Sequence, residues 1–361
     1  MKRLGISIYP ERSGKDENKA YISRASQYGF TRIFTCLMSA EGDIGSVKEN
    51  LSDIAGHAKS LGMEVIADVS PAVLNAFNVS CQELSFFHEL GLTGIRLDTG
   101  FSGLEESIMT FNSYGLSIEI NMSSGTRQLD NILSYSPKVE NLIGCHNFYP
   151  HRYTGLSRKH FEKCSSQFKQ NGIRTAAFIS SKEAGFGPWP VSEGLCTLEE
   201  HRELPVEVQA KDLFNTGLVD DVIIANAFAS DSELQSLGSL DKELLTLKVE
   251  LVSGIPDIER KIVLEELHFN RGDVSEYMLR STQSRIKYSG HCFKPFNTPP
   301  IRRGDILIDS SLYERYAGEL QIALKDMDNS GRANVAGRVS EQEIYLLDHI
   351  RPWQKFKLIQ T

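Results

Sequence analysis

What most constrains this chain is a repeated unit: a short apolar strand, a turn, an amphipathic stretch, often a glycine, and the next strand. Eight strands read this way: Leu4–Tyr9, Phe30–Cys36, Glu64–Val69, Gly94–Asp98, Leu116–Asn121, Leu142–Asn147, Arg174–Ile179 and Val222–Asn226. Helix candidates lie between them at Asp16–Tyr28, Val47–Ser60, Glu83–Leu90 and Ser157–Gln170. Gly29, Gly62, Gly91 and Gly172 each stand where a left-handed cap would close a helix before a strand. Strands alternating with helices make parallel β/α units, and eight of them in roughly 225 residues match an α/β fold of the (β/α)8 TIM-barrel type. A doubly wound sheet competes, but no G-x-G-x-x-G follows the first strand.

Alternate residues of a barrel strand face the interior and the surrounding helices. In GIRLD, Ile95 and Leu97 share one face and Arg96 and Asp98 the other. In LSIEIN, Ile118 and Ile120 oppose Ser117, Glu119 and Asn121; in LGISIY, Leu4, Ile6 and Ile8 oppose Gly5, Ser7 and Tyr9. Apolar residues toward the helices and polar ones toward the axis suit a barrel with a polar mouth. After Ala229 the pattern changes: Ser230 to Asp241 reads as a polar linker, followed by β-like runs such as LLTLKVELV, KIVLEELHF, RIKYSG, DILID, GELQIAL, RANVAGRV and WQKFKLIQ. The expected organisation is a catalytic barrel over residues 1–235 and a smaller β-rich domain over 240–361.

Composition excludes several function classes. Lys and Arg number 39 against 47 Asp and Glu, so nothing sequence-wide would hold a nucleic acid and an anionic ligand needs a local cluster. The six cysteines show no C-x-x-C pair or metal-like spacing, so neither a disulfide framework nor a zinc site is expected. No apolar run reaches the length of a membrane span and the N-terminal apolar stretch is too short for a signal-peptide core; the expectation is a cytoplasmic protein without a membrane partner. A homodimer is expected only because symmetric dimers are common.

Barrel enzymes place chemistry at the C-terminal ends of the strands. Those ends carry Tyr9 running into Glu11, then Asp68, Arg96 and Asp98, Glu119 and Asn121, His146 and Asn147, and Asn226. Asp98 and Glu119 share inward parity on neighbouring strands, within the reach of a glycosidase carboxylate pair. One would stay ionised beside an oxocarbenium-like centre while the other, raised by burial, donates to the leaving oxygen. Taken singly, Arg96 and Asp98 would read as a structural ion pair. The loop GCHNFYPHRYTGL adds His146, His151 and Arg152 as cationic or protonatable donors and Tyr149 and Tyr153 as faces for a sugar ring, with His146 the stronger histidine candidate. Asp68, Glu119 and His146 supply metal-ligand types, but no motif joins them, and no metal or other cofactor is expected. The long connection after the seventh strand, around Trp189, reads as an ordered loop beside the mouth that ends in Thr197, Glu199 and Arg202, with Thr197 and Glu200 as a potential capping box.

The same residues carry a family resemblance. SIYPE at Ser7–Glu11, DVSP at Asp68–Pro71, IRLD at Ile95–Asp98, EIN at Glu119–Asn121, HNFYPHRYTGL from His146 and TLEEHR from Thr197, with RRGDILID and NVAG further on, resemble the 6-phospho-N-acetylmuramidase family of glycoside hydrolases. The resemblance spans essentially the whole chain and rests on the order and spacing of these segments. It implies a TIM barrel joined to a cyclophilin-like β domain. It also implies a cytoplasmic enzyme cleaving a phosphorylated disaccharide, MurNAc-6-phosphate-GlcNAc, into MurNAc-6-phosphate and GlcNAc during cell-wall sugar recovery. Asp98 and Glu119 are the catalytic candidates, with Asp68 or Glu11 able to replace either. Arg152, Arg202 and the pair Arg302 and Arg303 are candidates for the phosphate or lactyl carboxylate. Two other classes remain open on the residues alone: a non-enzymatic sugar-phosphate sensor, and a metal-dependent barrel aldolase or isomerase.

Overall fold

The computed structural model describes residues 1–37, 44–77, 79–191 and 193–360, and they form two compact units, Met1–Leu240 and Asp241–Thr361. In the first, β1 (Arg3–Ile8), β2 (Arg32–Cys36), β3 (Glu64–Val69), β4 (Gly94–Leu97), β5 (Ser117–Asn121), β6 (Leu142–Cys145), β7 (Arg174–Ile179) and β8 (Asp221–Ile224) close into a parallel barrel. β8 pairs back onto β1, with Leu4 opposite Val222. The four helix-ending glycines named above all have positive φ, between 71° and 81°, which an L-side chain would adopt only with strain.

Parity along the strands sorts side chains into two cores. Leu4, Ile6, Ile8, Ile95, Leu97 and Ile118 face outward and pack with Tyr21, Ile22, Ile54, Phe87, Phe161 and Leu213 of the surrounding helices. The interior is divided. Tyr9, Phe34, Cys145, Ala176, Phe178 and Ile223 fill one part of it with apolar surface, while Arg32, Asp68, Arg96 and Glu119 are buried and charged. The parity of GIRLD, LSIEIN and LGISIY leads to the expectation of polar side chains toward the axis. A closed ring of this size is filled by side chains rather than water, so most of its inward positions carry large apolar groups.

Asp221 anchors the floor. Its carboxylate accepts hydrogen bonds from Arg3 at 2.9 and 2.8 Å, from Arg32 at 2.8 Å and from Arg174 at 3.0 Å, and its side chain is fully buried. Burial alone would push this carboxyl up. The bonds from Arg3 and the charge of Arg32 outweigh it and hold the group well below the usual carboxylate range.

The stretch expected to be a linker is instead a helix, Asp231–Gly238, because Ser230 caps it and Glu233 completes a capping box. The second unit holds a seven-stranded sheet: β9 (Leu245–Leu251), β10 (His268–Phe269), β11 (Met278–Ser281), β12 (Asp305–Asp309), β13 (Leu320–Ala323), β14 (Ala333–Val339) and β15 (Lys355–Gln360). Two of the runs read as β-like are largely helical. Asp257–Glu265 buries Glu259, Ile262 and Val263 on one face, an i, i+3, i+4 set, and Gln283–Lys287 forms a short helix. Among the described residues no helix is long and apolar enough to cross a membrane.

Replacing Asp221 by alanine strands three arginines at the barrel floor. The expected cost is about 3–5 kcal/mol, the range for breaking a buried ion pair from one side, read as a lowered urea midpoint for the barrel unit; an unchanged midpoint would contradict this role.

Candidate active site

Register brings the first functional side chains together. Cys36 stands opposite Asp68, Asp68 opposite Arg96, and Arg96 opposite Glu119, so a row of inward positions crosses β2, β3, β4 and β5. Arg96 is its centre. Its Nη1 donates to Asp68 at 2.9 Å and to Asp98 at 3.2 Å, and its Nη2 donates to Asn147 Oδ1. Both carboxylates thus bind one guanidinium nitrogen and stand side by side at the mouth.

The two carboxylates differ in environment. Asp98, just past the end of β4, has a side chain 34% exposed, whereas that of Asp68 is 9% exposed. Burial raises Asp68, the charge of Arg96 opposes this, and the nearby Asp98 adds to it, leaving the group at about 6. One acid therefore keeps its proton up to about pH 6, above the usual carboxylate range, beside another that faces solvent, a division suited to general acid chemistry.

A cavity over this cluster has Asp68, Arg96, Asp98 and Asn147 among its polar walls and Phe148 and Trp189 among its aromatic ones. Phe148 is fixed by edge-on packing against Phe34 and Phe178, at ring separations of 6.2 and 5.1 Å. Trp189 remains 43% exposed, an aromatic face open to a ligand.

The other candidates divide. Glu119 is fully buried, takes a hydrogen bond from Arg32 and is not among the residues that line the cavity. Asn121 binds the Asp98 carbonyl at 3.4 Å and the Ser123 amide at 2.9 Å, which orients the strand ends. Tyr149 is partly buried, with its phenol pushed up by burial, and its backbone carbonyl accepts from Arg202. Glu11 lies exposed in the turn after β1. Arg152 is half exposed and pairs with Glu203 at 3.1 Å.

His146 does not face the mouth. It is buried against Phe161 and the helix Arg158–Gln170, hydrogen-bonded to Ser123 and Ser165, and burial lowers it to about 3, so it is a neutral packing residue. Its neighbour Cys145 takes the inward position, and alternation sends His146 outward. Asn226 is likewise consumed: its side chain accepts from the Ser181 amide at 2.8 Å and donates to the Ser181 carbonyl at 2.7 Å.

Arg202 is a staple. It donates to Glu199 at 2.8 and 2.6 Å and to the carbonyls of Tyr149, Glu193 and Gly194 at 3.0–3.1 Å, while Glu199 also accepts from the amides of Tyr153 and Gly155. With its guanidinium thus engaged it is not placed to take a phosphate. A Cβ at Gly155 would sit 2.7 Å from Glu199 Oε2, so only glycine allows this approach. Thr197 caps no helix; its hydroxyl donates to the Asn147 carbonyl at 2.9 Å and accepts from the Phe178 amide. Of the second unit's arginines, Arg303 is engaged by Asp348 and the Leu324 carbonyl. Sequence reasoning missed Arg32 and Asp221 because they sit at strand starts, the end of a barrel where chemistry is not sought. The only available signal was an arginine opening an otherwise apolar inward-facing run in RIFTC.

The chain is thus a closed eight-stranded α/β barrel whose strand ends bring paired acids around one arginine beside an aromatic wall. Comparison narrows this. The family described as 6-phospho-N-acetylmuramidase, N-terminal, matches residues 4–239, and the one described as 6-phospho-N-acetylmuramidase, C-terminal, matches 245–359. The chain belongs to the 6-phospho-N-acetylmuramidase family. Solved structures similar to it include an uncharacterized B. cereus protein, 49% identical over 99% of both chains with a TM-score of 0.92. A conserved Enterococcus faecalis protein of unknown function is 26% identical over 99% of this chain and 96% of its own, with a TM-score of 0.72. No curated protein matches the chain.

The staple is testable without substrate. Arg202→Met should make the segments at Phe148–Gly155 and Glu193–Cys196 cleavable by trypsin or a broad protease under native conditions, with far-ultraviolet circular dichroism unchanged; equal resistance in wild type and variant would refute the role.

Proposed function

We propose that the barrel mouth hydrolyses the glycosidic bond of MurNAc-6-phosphate-GlcNAc, releasing MurNAc-6-phosphate and GlcNAc, as a step in recovering cell-wall sugars. The observation that carries this is the pair Asp68 and Asp98 on the single nitrogen of Arg96, in a chain of this family. Asp68 is the general acid: burial keeps its proton available, and it passes that proton to the bridging oxygen as the C1–O bond breaks. The Asp98 carboxylate faces the positive charge that develops at C1, and Arg96 and Asn147 fix both acids in place. Water then adds at C1 and returns a proton to Asp68, so the enzyme is regenerated and one bond has been hydrolysed. Attack at C1 by Asp98, or by the substrate's own 2-acetamido oxygen held by it, would give retention of configuration.

Trp189 and Phe148 supply the apolar faces against which pyranose rings stack. The 6-phosphate is assigned to Arg152, whose pair with Glu203 is solvent-exposed and therefore weak enough to be exchanged for a dianion.

Incubation with synthetic MurNAc-6-phosphate-GlcNAc and its unphosphorylated twin, followed by mass spectrometry, tests the reading; GlcNAc should appear from the phosphorylated compound, and the absence of cleavage of either would sink it. Asp68→Asn and Asp98→Asn should each lower kcat by about 10²–10⁴ while the variants still bind the disaccharide in calorimetry. Since Asp68 must carry its proton, kcat/KM should fall as pH rises through about 6 and lose that limb in Asp68→Asn.

A further inference from the structure

Below the mouth the barrel carries charge that no ligand reaches. Asp221 at the floor accepts from Arg32 Nη1 at 2.8 Å, and Arg32 Nη2 donates to Glu119. Glu119 Oε1 in turn lies 3.9 Å from Arg96 Nε, and Arg96 ends at Asp68 and Asp98. The side chains of Asp221, Arg32 and Glu119 are at most 1% exposed. Four charged groups thus run from floor to mouth, although neighbouring inward positions are filled by Phe34, Phe178 and Ile223.

One joint differs from the rest. Arg96 Nε and Glu119 Oε1 close no hydrogen bond with each other, and the Cys145 thiol from β6 also lies against the Glu119 carboxylate, so Arg96 and Glu119 are coupled by charge and not by a bond. Arg96 is oriented instead by its acceptors above, Asp68, Asp98 and Asn147. Removing the charge on Glu119 would change the field around Asp68 while leaving the bonds that aim Arg96 intact. A purely structural ion pair would be expected to close with a hydrogen bond, because desolvated charges repay their burial only with good geometry.

The charged and titratable groups facing Asp68 among the described residues are Tyr9 from the end of β1, Cys36 from β2, Arg96 and Asp98 from β4, and Glu119 from β5. Arg96 favours loss of the Asp68 proton; Asp98 and Glu119 oppose it. Of these two Asp98 acts more strongly, and the fully buried Glu119 adds to it.

We propose that Glu119, paired with Arg32 and through it with Asp221, is a positioning residue that keeps the proton on Asp68 by offsetting the charge of Arg96. This rests on the assignment of Asp68 as the general acid. Glu119 gives and takes no proton in the reaction. Its negative charge opposes ionisation of Asp68, Arg32 holds it in place against burial, and Asp221 neutralises Arg32.

The test is the pH dependence of kcat/KM on MurNAc-6-phosphate-GlcNAc. Glu119→Gln keeps the shape and removes the charge, and the alkaline limb should move to lower pH by several tenths of a unit or more. Glu119→Asp, which keeps the charge, should leave the limb within a few tenths of a unit of wild type. If Glu119→Gln fails to fold, Glu119→Met removes the same charge at similar volume while Arg32 keeps Asp221, and the limb should move in the same direction. A limb that stays in place in either folded charge-removed variant overturns the proposal, as does an equal displacement by Glu119→Asp. Asp68→Asn separates the two levels: if it retains wild-type turnover, the assignment of Asp68 falls and this proposal with it, whereas an inactive Asp68→Asn with an unmoved limb in Glu119→Gln overturns the role of Glu119 alone.

Discussion

Two arginines inside a closed barrel set the terms for everything around them. Arg32 and Arg96 are both almost wholly buried, and a guanidinium cannot shed its charge to escape the cost of desolvation. Each therefore demands carboxylates at short range. Arg32 takes Asp221 and Glu119, and Arg96 takes Asp68 and Asp98. The barrel's floor and its mouth are linked by this requirement, and Asp68 and Asp98 stand where they do because the second arginine needs them.

The arginines of this chain also separate into kinds that residue type does not distinguish. Arg96 gathers two carboxylates at the mouth, Arg202 ties two rim loops to one another, and Arg152 stays half exposed beside Glu203. Their difference lies in how many acceptors each has already met. A guanidinium with five donors is free to bind a ligand only where the backbone has not claimed it first.

Much of the fold was legible because barrel strands obey a period of two. Ile95 and Leu97 against Arg96 and Asp98 was enough to say which side chains face the axis, and the structure keeps that division. The same rule, applied one residue too far, misled the reading of His146: β6 ends at Cys145, and His146 points to the helix behind it. Ser230 to Asp241 was misread for a different reason. Its composition is polar, but Ser230 and Glu233 are a capping pair, and capping outweighs composition at a helix start. Arg202 and Asn226 stood in the right loops, yet both are spent on backbone groups that only the folded loops bring within reach.

From the sequence alone came the eight-unit barrel, the polar row on β4 and β5, and the family, because strand parity, helix-ending glycines and the order of short segments are local properties that survive without coordinates. Which acid keeps a proton could not be read there. Asp68, Asp98 and Glu119 are the same chemistry in the sequence; they part company through burial, through distance to Arg96 and through the presence of Arg32, a residue on a different strand whose reach across the barrel axis exists only once the ring has closed.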